Sequence, residues 1–188
     1  RVGAVLEAHL AASPLLRGIR FIVSWHEDPR KRFVERADWM ADRRWREGFA
    51  RLAPLGLSFD LMLYPGQMAG AARLAADFPG TSIIVNHAGS PVDRDAKGMA
   101  RWRRGLNELA AQPNVALKLS DLVAYDHDWT LDSLRPVVDA CLAAFGPERC
   151  LFGSDFPVAG LHATYAQCVE ALDRLTGRLS AAERRAIF

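Results

Sequence analysis

The chain has 188 residues, of which 50% are hydrophobic and 24% are charged, and its formal net charge is +2. This length suits one domain, and the composition is that of a globular protein rather than a disordered or collagen-like chain. The small net charge gives no reason to expect a nucleic-acid partner, and no apolar run approaches the ~18 residues that a membrane helix needs. The three cysteines form no Cys-x-x-Cys pair, which favours a reducing, cytoplasmic setting.

Both ends of the sequence have the pattern of helices that continue beyond it. Apolar residues recur at helical spacing from Val2 to Leu10 with no cap before them, and Ser180 to Glu183 has the pattern of a capping box. We therefore expect residues 1–188 to form a single unit that is a fragment of a longer chain, and the alternative is a complete small domain with frayed termini. The abundance of Ala and Arg suggests a bacterial gene.

Five short β-rich runs alternate with helical patterns along the chain. The predicted strands are 18–25, 58–64, 81–87, 115–120 and 150–154. Ser133 is predicted to cap the helix before the last strand, with Pro136 in its first turn, where proline is tolerated. Strict alternation of strands and helices predicts βαβ units and a parallel sheet, so the fold class is α/β.

The predicted strands are apolar on one face and carry charged groups on the other. Arg20, Asp60 and Lys118 lie on the polar face, whereas a doubly wound sheet would need both faces apolar. A polar inner face favours a barrel whose interior leads to an active site. The three side chains are predicted to form an interior ion cluster, and an equally weighted alternative is that they only neutralise one another.

Active sites of such barrels lie where the strands end at their carboxyl side. His87 follows the third predicted strand and Asp155 follows the fifth. An Asp can deprotonate water, a His can hold or protonate a carbonyl oxygen, and the two together can bind a divalent metal. The simpler alternative is that His87 makes a structural hydrogen bond and Asp155 initiates a turn.

Three strings of residues resemble the late-strand motifs of the amidohydrolase-related family of TIM-barrel hydrolases, which includes sugar lactonases and pyrone dicarboxylate lactonase. They are Val85-Asn-His87-Ala-Gly89, Val115-Ala-Leu-Lys118-Leu-Ser120 and Cys150-Leu-Phe-Gly153-Ser-Asp155-Phe-Pro157. The resemblance implies a TIM (β/α)8 barrel that is incomplete here, in which the five predicted strands are the fourth to the eighth. The first three strands, one of which carries the family's His-x-His motif, would lie outside this sequence.

The resemblance also implies roles for two residues. Asp155 would be the general base that activates water, and His87 would polarise the substrate carbonyl or ligate a metal. Tyr64 stands where the metal-rich members close a strand with His, so the resemblance leaves one divalent ion such as zinc, or none. The implied reaction is hydrolysis of a small lactone or ester. The alternatives are metal-dependent decarboxylation of a small unsaturated or aromatic acid, and an inactive fragment or non-catalytic barrel.

Six further residues are candidates for contact with a small-molecule substrate. They are Tyr64, Lys118, His26, Arg94, His127 and Trp25. Arg94 belongs to a basic stretch that first suggests a solvated helix face, and His127 lies in an Asp-His-Asp string typical of a turn. A homo-oligomer is an open alternative. We expect the 188-residue piece alone to be poorly stable or oligomeric and to lack activity, because five of eight strands leave two open edges.

Overall fold

The computed structural model describes residues 2–188, in which helices and strands alternate as the sequence predicts. The strands are β1 (Gly18–Ile22), β2 (Ser58–Met62), β3 (Ile83–Val85), β4 (Val115–Ser120) and β5 (Cys150–Gly153). The helices are α1 (Val2–Ala12), α2 (Arg43–Phe49), α3 (Met68–Asp77), α4 (Ala96–Ala110), α5 (Leu131–Phe145), α6 (Tyr165–Leu175) and α7 (Ala181–Ile187). None of the helices within residues 2–188 is long and apolar enough to cross a membrane.

All five strands are parallel, and each pairs with the next along the chain in the order β1-β2-β3-β4-β5. Such an order lacks the reversal of a doubly wound sheet and is that of a barrel wall. Leu61, Val85 and Leu117 are register neighbours, and all three are fully buried under the helices. The opposite face is the inner one, where Asp60 and Lys118 are only half-buried.

Helix α4 shows how the helical layer supports the carboxyl ends of the strands. Its buried stripe includes Trp102, Leu106 and Leu109, which pack on the sheet, while Arg103 and Arg104 are exposed to solvent. The Trp102 indole donates to the carbonyl oxygen of Ala88 at 2.8 Å. This bond fixes the backbone beside His87 to a fully buried side chain, so the helical layer positions a predicted site residue.

The first three strands end two residues or more before the predicted limits. Beyond Ile22, the backbone groups after β1 bond to the side chain of Gln67 instead of to a neighbouring strand. Gln67 accepts from the Trp25 amide at 3.0 Å and donates to the Val23 carbonyl. The same oxygen of Gln67 accepts from the Tyr64 amide at 3.3 Å. The buried Gln67 side chain therefore replaces the hydrogen bonds of a β-sheet at this point. The periodicity of the sequence does not reveal such a replacement, so the strands were predicted too long.

The predicted cap of α5 was wrong by three residues. Thr130 is the N-cap, its hydroxyl accepts from the Ser133 amide, and the Ser133 hydroxyl accepts in turn from the Thr130 amide. Pro136 consequently lies inside the helix rather than in its first turn. Ser133 misled the prediction because it belongs to the capping box, but at the third helical position.

Candidate active site

Three side chains that can exchange protons or bind a metal follow consecutive strands at one end of the sheet. His87 follows β3, Asp121 follows β4 and Asp155 follows β5. Each has a positive φ, of 54°, 49° and 52° respectively. This region of backbone space is costly for residues other than glycine and is retained mainly at functional sites, so the fold strains its backbone at the same level on three neighbouring strands.

These three residues, which we call the His–Asp–Asp cluster, lie close enough to share one ligand. Their nearest nitrogen and carboxylate oxygen atoms are all within 4.8 Å of one another. His87 Nε2 is 3.9 Å from Asp155 Oδ2. His87 and Asp121 are buried, whereas Asp155 is partly open to the interior of the barrel. The structure therefore brings together the predicted pair His87 and Asp155.

The contacts of His87 define which ring nitrogen carries the proton. Its Nε2 lies 3.0 Å from a terminal nitrogen of Arg20, which can only donate, so Nε2 accepts. Its Nδ1 therefore carries the proton and donates to the Ser120 hydroxyl at 3.0 Å. Burial lowers the pKa of His87 to about 4, Asp155 opposes this shift and the Arg20 charge adds to it. The imidazole is thus neutral at pH 7 and presents a lone pair to the cluster.

Asp121 is the member of the cluster that the sequence reasoning did not single out. Burial raises its pKa to about 7, and repulsion from the Asp155 carboxylate adds to the shift. Among the described residues, no group donates a hydrogen bond to its Oδ1 atom. The available signal was its position directly after a strand, as for His87 and Asp155, but the same position is common for residues that begin turns.

The donor set of the cluster fits a divalent metal. One imidazole nitrogen and two carboxylates are ordinary zinc ligands, and their mutual separations suit a shared ion. A cation would also satisfy the Asp121 oxygen that lacks a partner and would offset the repulsion between Asp121 and Asp155. We identify His87, Asp121 and Asp155 as the residues that would hold such an ion.

The interior charges are arranged differently from the predicted three-residue ion cluster. Lys118 on β4 pairs with Asp60 on β2 across the inner face, past the intervening β3, and both are half-buried. Arg20 instead turns towards His87. Because Asp60 is already paired with Lys118, Arg20 contacts the acceptor nitrogen of the His87 imidazole at the carboxyl end of the strands.

Three of the predicted substrate contacts lie in the wall formed after β1 and β2. The Tyr64 hydroxyl donates to the Lys31 carbonyl at 2.9 Å, and its ring meets that of His26 edge to face. His26 Nε2 lies 3.2 Å from Asp93 Oδ2. The Trp25 ring lies under the guanidinium of Arg32. These side chains border a cavity of about 570 Å³ that does not reach the His–Asp–Asp cluster.

Of the other three predicted contacts, Lys118 pairs with Asp60, and Arg94 and His127 lie beyond β3 and β4. Arg94 pairs with Asp126 at 2.9 Å and also donates to the Ser133 carbonyl, so it joins two loops at the rim. His127 is exposed and stacks on His162, with ring centroids 3.8 Å apart. Neither residue touches the cluster in this structure, and their substrate roles stay predictions.

Comparison with known proteins places the chain in a family. The amidohydrolase family model matches residues 3–188. This chain is an amidohydrolase-family member. It is 40% identical over 187 residues to an uncharacterized protein of Sinorhizobium fredii and 37% identical over 185 residues to the L-fucono-1,5-lactonase of Burkholderia multivorans. The matches cover 100% and 92% of this chain, but only 62% and 60% of the two relatives.

Solved structures of amidohydrolases confirm the fold. Two crystal structures of an amidohydrolase from Burkholderia multivorans, one with bound HEPES and one with bound zinc, superpose with TM-scores of 0.85 and 0.83. Their sequences are 33% and 32% identical to this chain, which they cover completely while it spans 68% and 67% of theirs. The prediction of an incomplete TM (β/α)8 barrel is therefore confirmed, with β1 to β5 as part of its wall.

Proposed function

We propose that this amidohydrolase chain carries the catalytic end of a hydrolase that opens a small sugar lactone. The observation that carries the proposal is the convergence of His87, Asp121 and Asp155 at the mouth of the barrel. The identity to a lactonase, 37% over 185 residues, supports the substrate class. No observation favours the decarboxylase alternative.

In the proposed reaction Asp155 is the base. Its carboxylate takes a proton from water, the resulting hydroxide adds to the lactone carbonyl carbon, and the bond from that carbon to the ring oxygen breaks. The proton then passes to the ring oxygen, so the product is a hydroxy acid. A general base of this kind contributes roughly 10²- to 10⁴-fold to the rate.

We propose that His87 does not donate a hydrogen bond to the substrate carbonyl. Because its proton lies on Nδ1, the nitrogen that faces the cluster can only accept. We propose that Ser120 fixes the ring through Nδ1 and that Nε2 holds a cationic partner beside the reacting carbonyl. The Arg20 guanidinium occupies that position here and can donate to the carbonyl oxygen as negative charge develops on it. A divalent ion, when bound there, would polarise the same oxygen.

We propose a cellular setting for this reaction on compositional grounds. A net charge of +2 and cysteines without a Cys-x-x-Cys pair support a cytoplasmic enzyme with a small-molecule substrate and no nucleic-acid partner.

A substrate panel tests the proposal. The full-length protein is assayed by proton release with sugar 1,5-lactones, a simple aliphatic ester and an unsaturated dicarboxylic acid. The proposal predicts turnover of at least one sugar lactone at ~10⁴ M⁻¹s⁻¹ or more and none of the acid. Release of carbon dioxide from the acid, without lactone opening, would replace hydrolysis by decarboxylation.

A further inference from the structure

The lone pair that a metal would take from His87 is already engaged by a side chain. An Arg20 nitrogen lies 3.0 Å from His87 Nε2, and arginine has no acceptor and keeps its charge in proteins. The other ring nitrogen is committed to Ser120 at 3.0 Å. A divalent cation and the Arg20 guanidinium therefore need the same electron pair.

The fold directs Arg20 to this position through several contacts. Its register neighbour Asp60 is paired with Lys118, and no carboxylate among residues 2–188 lies within ion-pair distance of Arg20. With the Asn86 amide turned to satisfy its neighbours, the amide oxygen accepts from Arg20 Nε at 3.2 Å. A third contact, of 3.8 Å, joins Arg20 to the sulfur of Met62. The guanidinium thus bridges the consecutive residues Asn86 and His87 on β3's carboxyl side.

We propose that Arg20 is a resident competitor for the metal position of the His–Asp–Asp cluster. Its guanidinium supplies one positive charge next to two carboxyl groups, where a divalent cation would supply two. The cluster therefore takes up a divalent cation only when Arg20 leaves His87, and Arg20 sets a low affinity for that cation. The inference concerns cation binding without substrate, so its failure would not decide whether the protein hydrolyses lactones.

Zinc binding by the metal-free, full-length protein tests this proposal. Isothermal titration with zinc alone compares the wild type with Arg20→Met, which keeps the length of the side chain but removes its charge and donors. The dissociation constant should fall by about tenfold or more, because a like charge beside the ion is removed and the lone pair is freed. The matched control is Arg103→Met, which removes an exposed cation of α4 that makes no contact with the cluster, and it should change the constant by less than about threefold.

Three results would overturn the proposal. One is an unchanged zinc affinity in Arg20→Met. Another is an equal gain in Arg103→Met, which would show that the effect comes from net charge alone. The third is a gain that persists in the double variant Arg20→Met with His87→Gln.

A measurement on the wild type keeps the proposal testable if Arg20→Met does not fold. The Nε–H resonance of Arg20 should shift in nitrogen-15 spectra as zinc saturates the protein. A resonance that stays fixed while the His87 ring signals move would show that both groups bind without competition.

Discussion

At the scale of single residues, the site is defined by electrostatics that the sequence does not display. His87 and Asp155 were predictable because a His and an Asp each follow a strand within recognisable motifs. The roles of Asp121 and Arg20 were harder to predict. That of Asp121 arises from its burial, and that of Arg20 from the direction of its guanidinium. The unusual backbone at positions 87, 121 and 155 is equally invisible to a pattern of residue types.

The titration of His87 follows directly from its burial. Its pKa of about 4 lies below the ordinary value of 6.5, so the unfolded chain binds this proton more readily than the folded one. His87 should therefore reduce stability as the pH falls from about 6.5 to about 4. Carbon-13 spectra should show a neutral His87 ring at pH 5, and in urea unfolding the His87→Gln variant should lose less stability over that interval. A charged ring at pH 5 would contradict the assignment of its protons.

Asp121 should affect stability in the opposite pH direction. Its folded pKa of about 7 exceeds the ordinary value of 3.8, so the folded state loses stability as the pH rises from about 4 through 7. Asp121→Asn removes this loss, and its gain in unfolding free energy should be larger at pH 8 than at pH 5 by roughly 2 kcal/mol. Asp132→Asn, at an exposed position of α5, is the control and should show no such difference. An equal gain at both pH values would remove Asp121 from the electrostatics of the site.

At the scale of elements, β-rich runs predicted the five strands, hydrophobic periodicity predicted the α-helices between them, and a capping box located the start of the last helix at Ser180. Periodicity did not predict where strands give way to loops. Residues 23–42 after β1 contain only short 3-10 turns, and they are held by Gln67, by Tyr64 and by Asp93. Asp93 alone receives contacts from His26, Lys31 and Arg101. Such side-chain ties join residues far apart in the sequence, so local patterns do not reveal them.

Gln67 should contribute most to holding the loop of residues 23–42 in place. It is 6% exposed and bonds to backbone groups of Val23, Trp25 and Tyr64. Gln67→Met keeps the volume but leaves these buried groups without partners, so we expect a loss of about 2–4 kcal/mol in unfolding free energy. Amide hydrogen exchange should rise in residues 23–42 but not in α4. In the control Gln112→Met both quantities should stay unchanged, and unaltered exchange in the Gln67 variant would show that other contacts hold the loop.

At the scale of the whole molecule, alternation of strands and helices predicted a parallel sheet, and the polar inner face favoured a barrel. The described residues supply five neighbouring strands, whose outer members β1 and β5 each pair on one side only. Leu151 and Phe188, near the β5 edge, are 37% and 51% exposed. Composition says nothing about which surfaces another segment covers, so the sequence predicted the open edges only through the family resemblance.

The 188-residue chain alone should associate through these surfaces. Unpaired strand edges and exposed apolar side chains favour association with other copies. Size-exclusion chromatography with light scattering should give a mass that rises with concentration, and the chain should not open sugar lactones. A monomer that unfolds cooperatively and retains activity would contradict this expectation.

The turnover of one variant tests the proposed role of Asp155 as the base for lactone hydrolysis. In the full-length protein, Asp155→Asn should reduce kcat on the best sugar lactone by about 10²- to 10⁴-fold with an unchanged melting temperature, while Asp132→Asn keeps normal turnover. Near-normal turnover of the folded Asp155→Asn variant would show that Asp155 is not the base and is a structural residue of the barrel mouth.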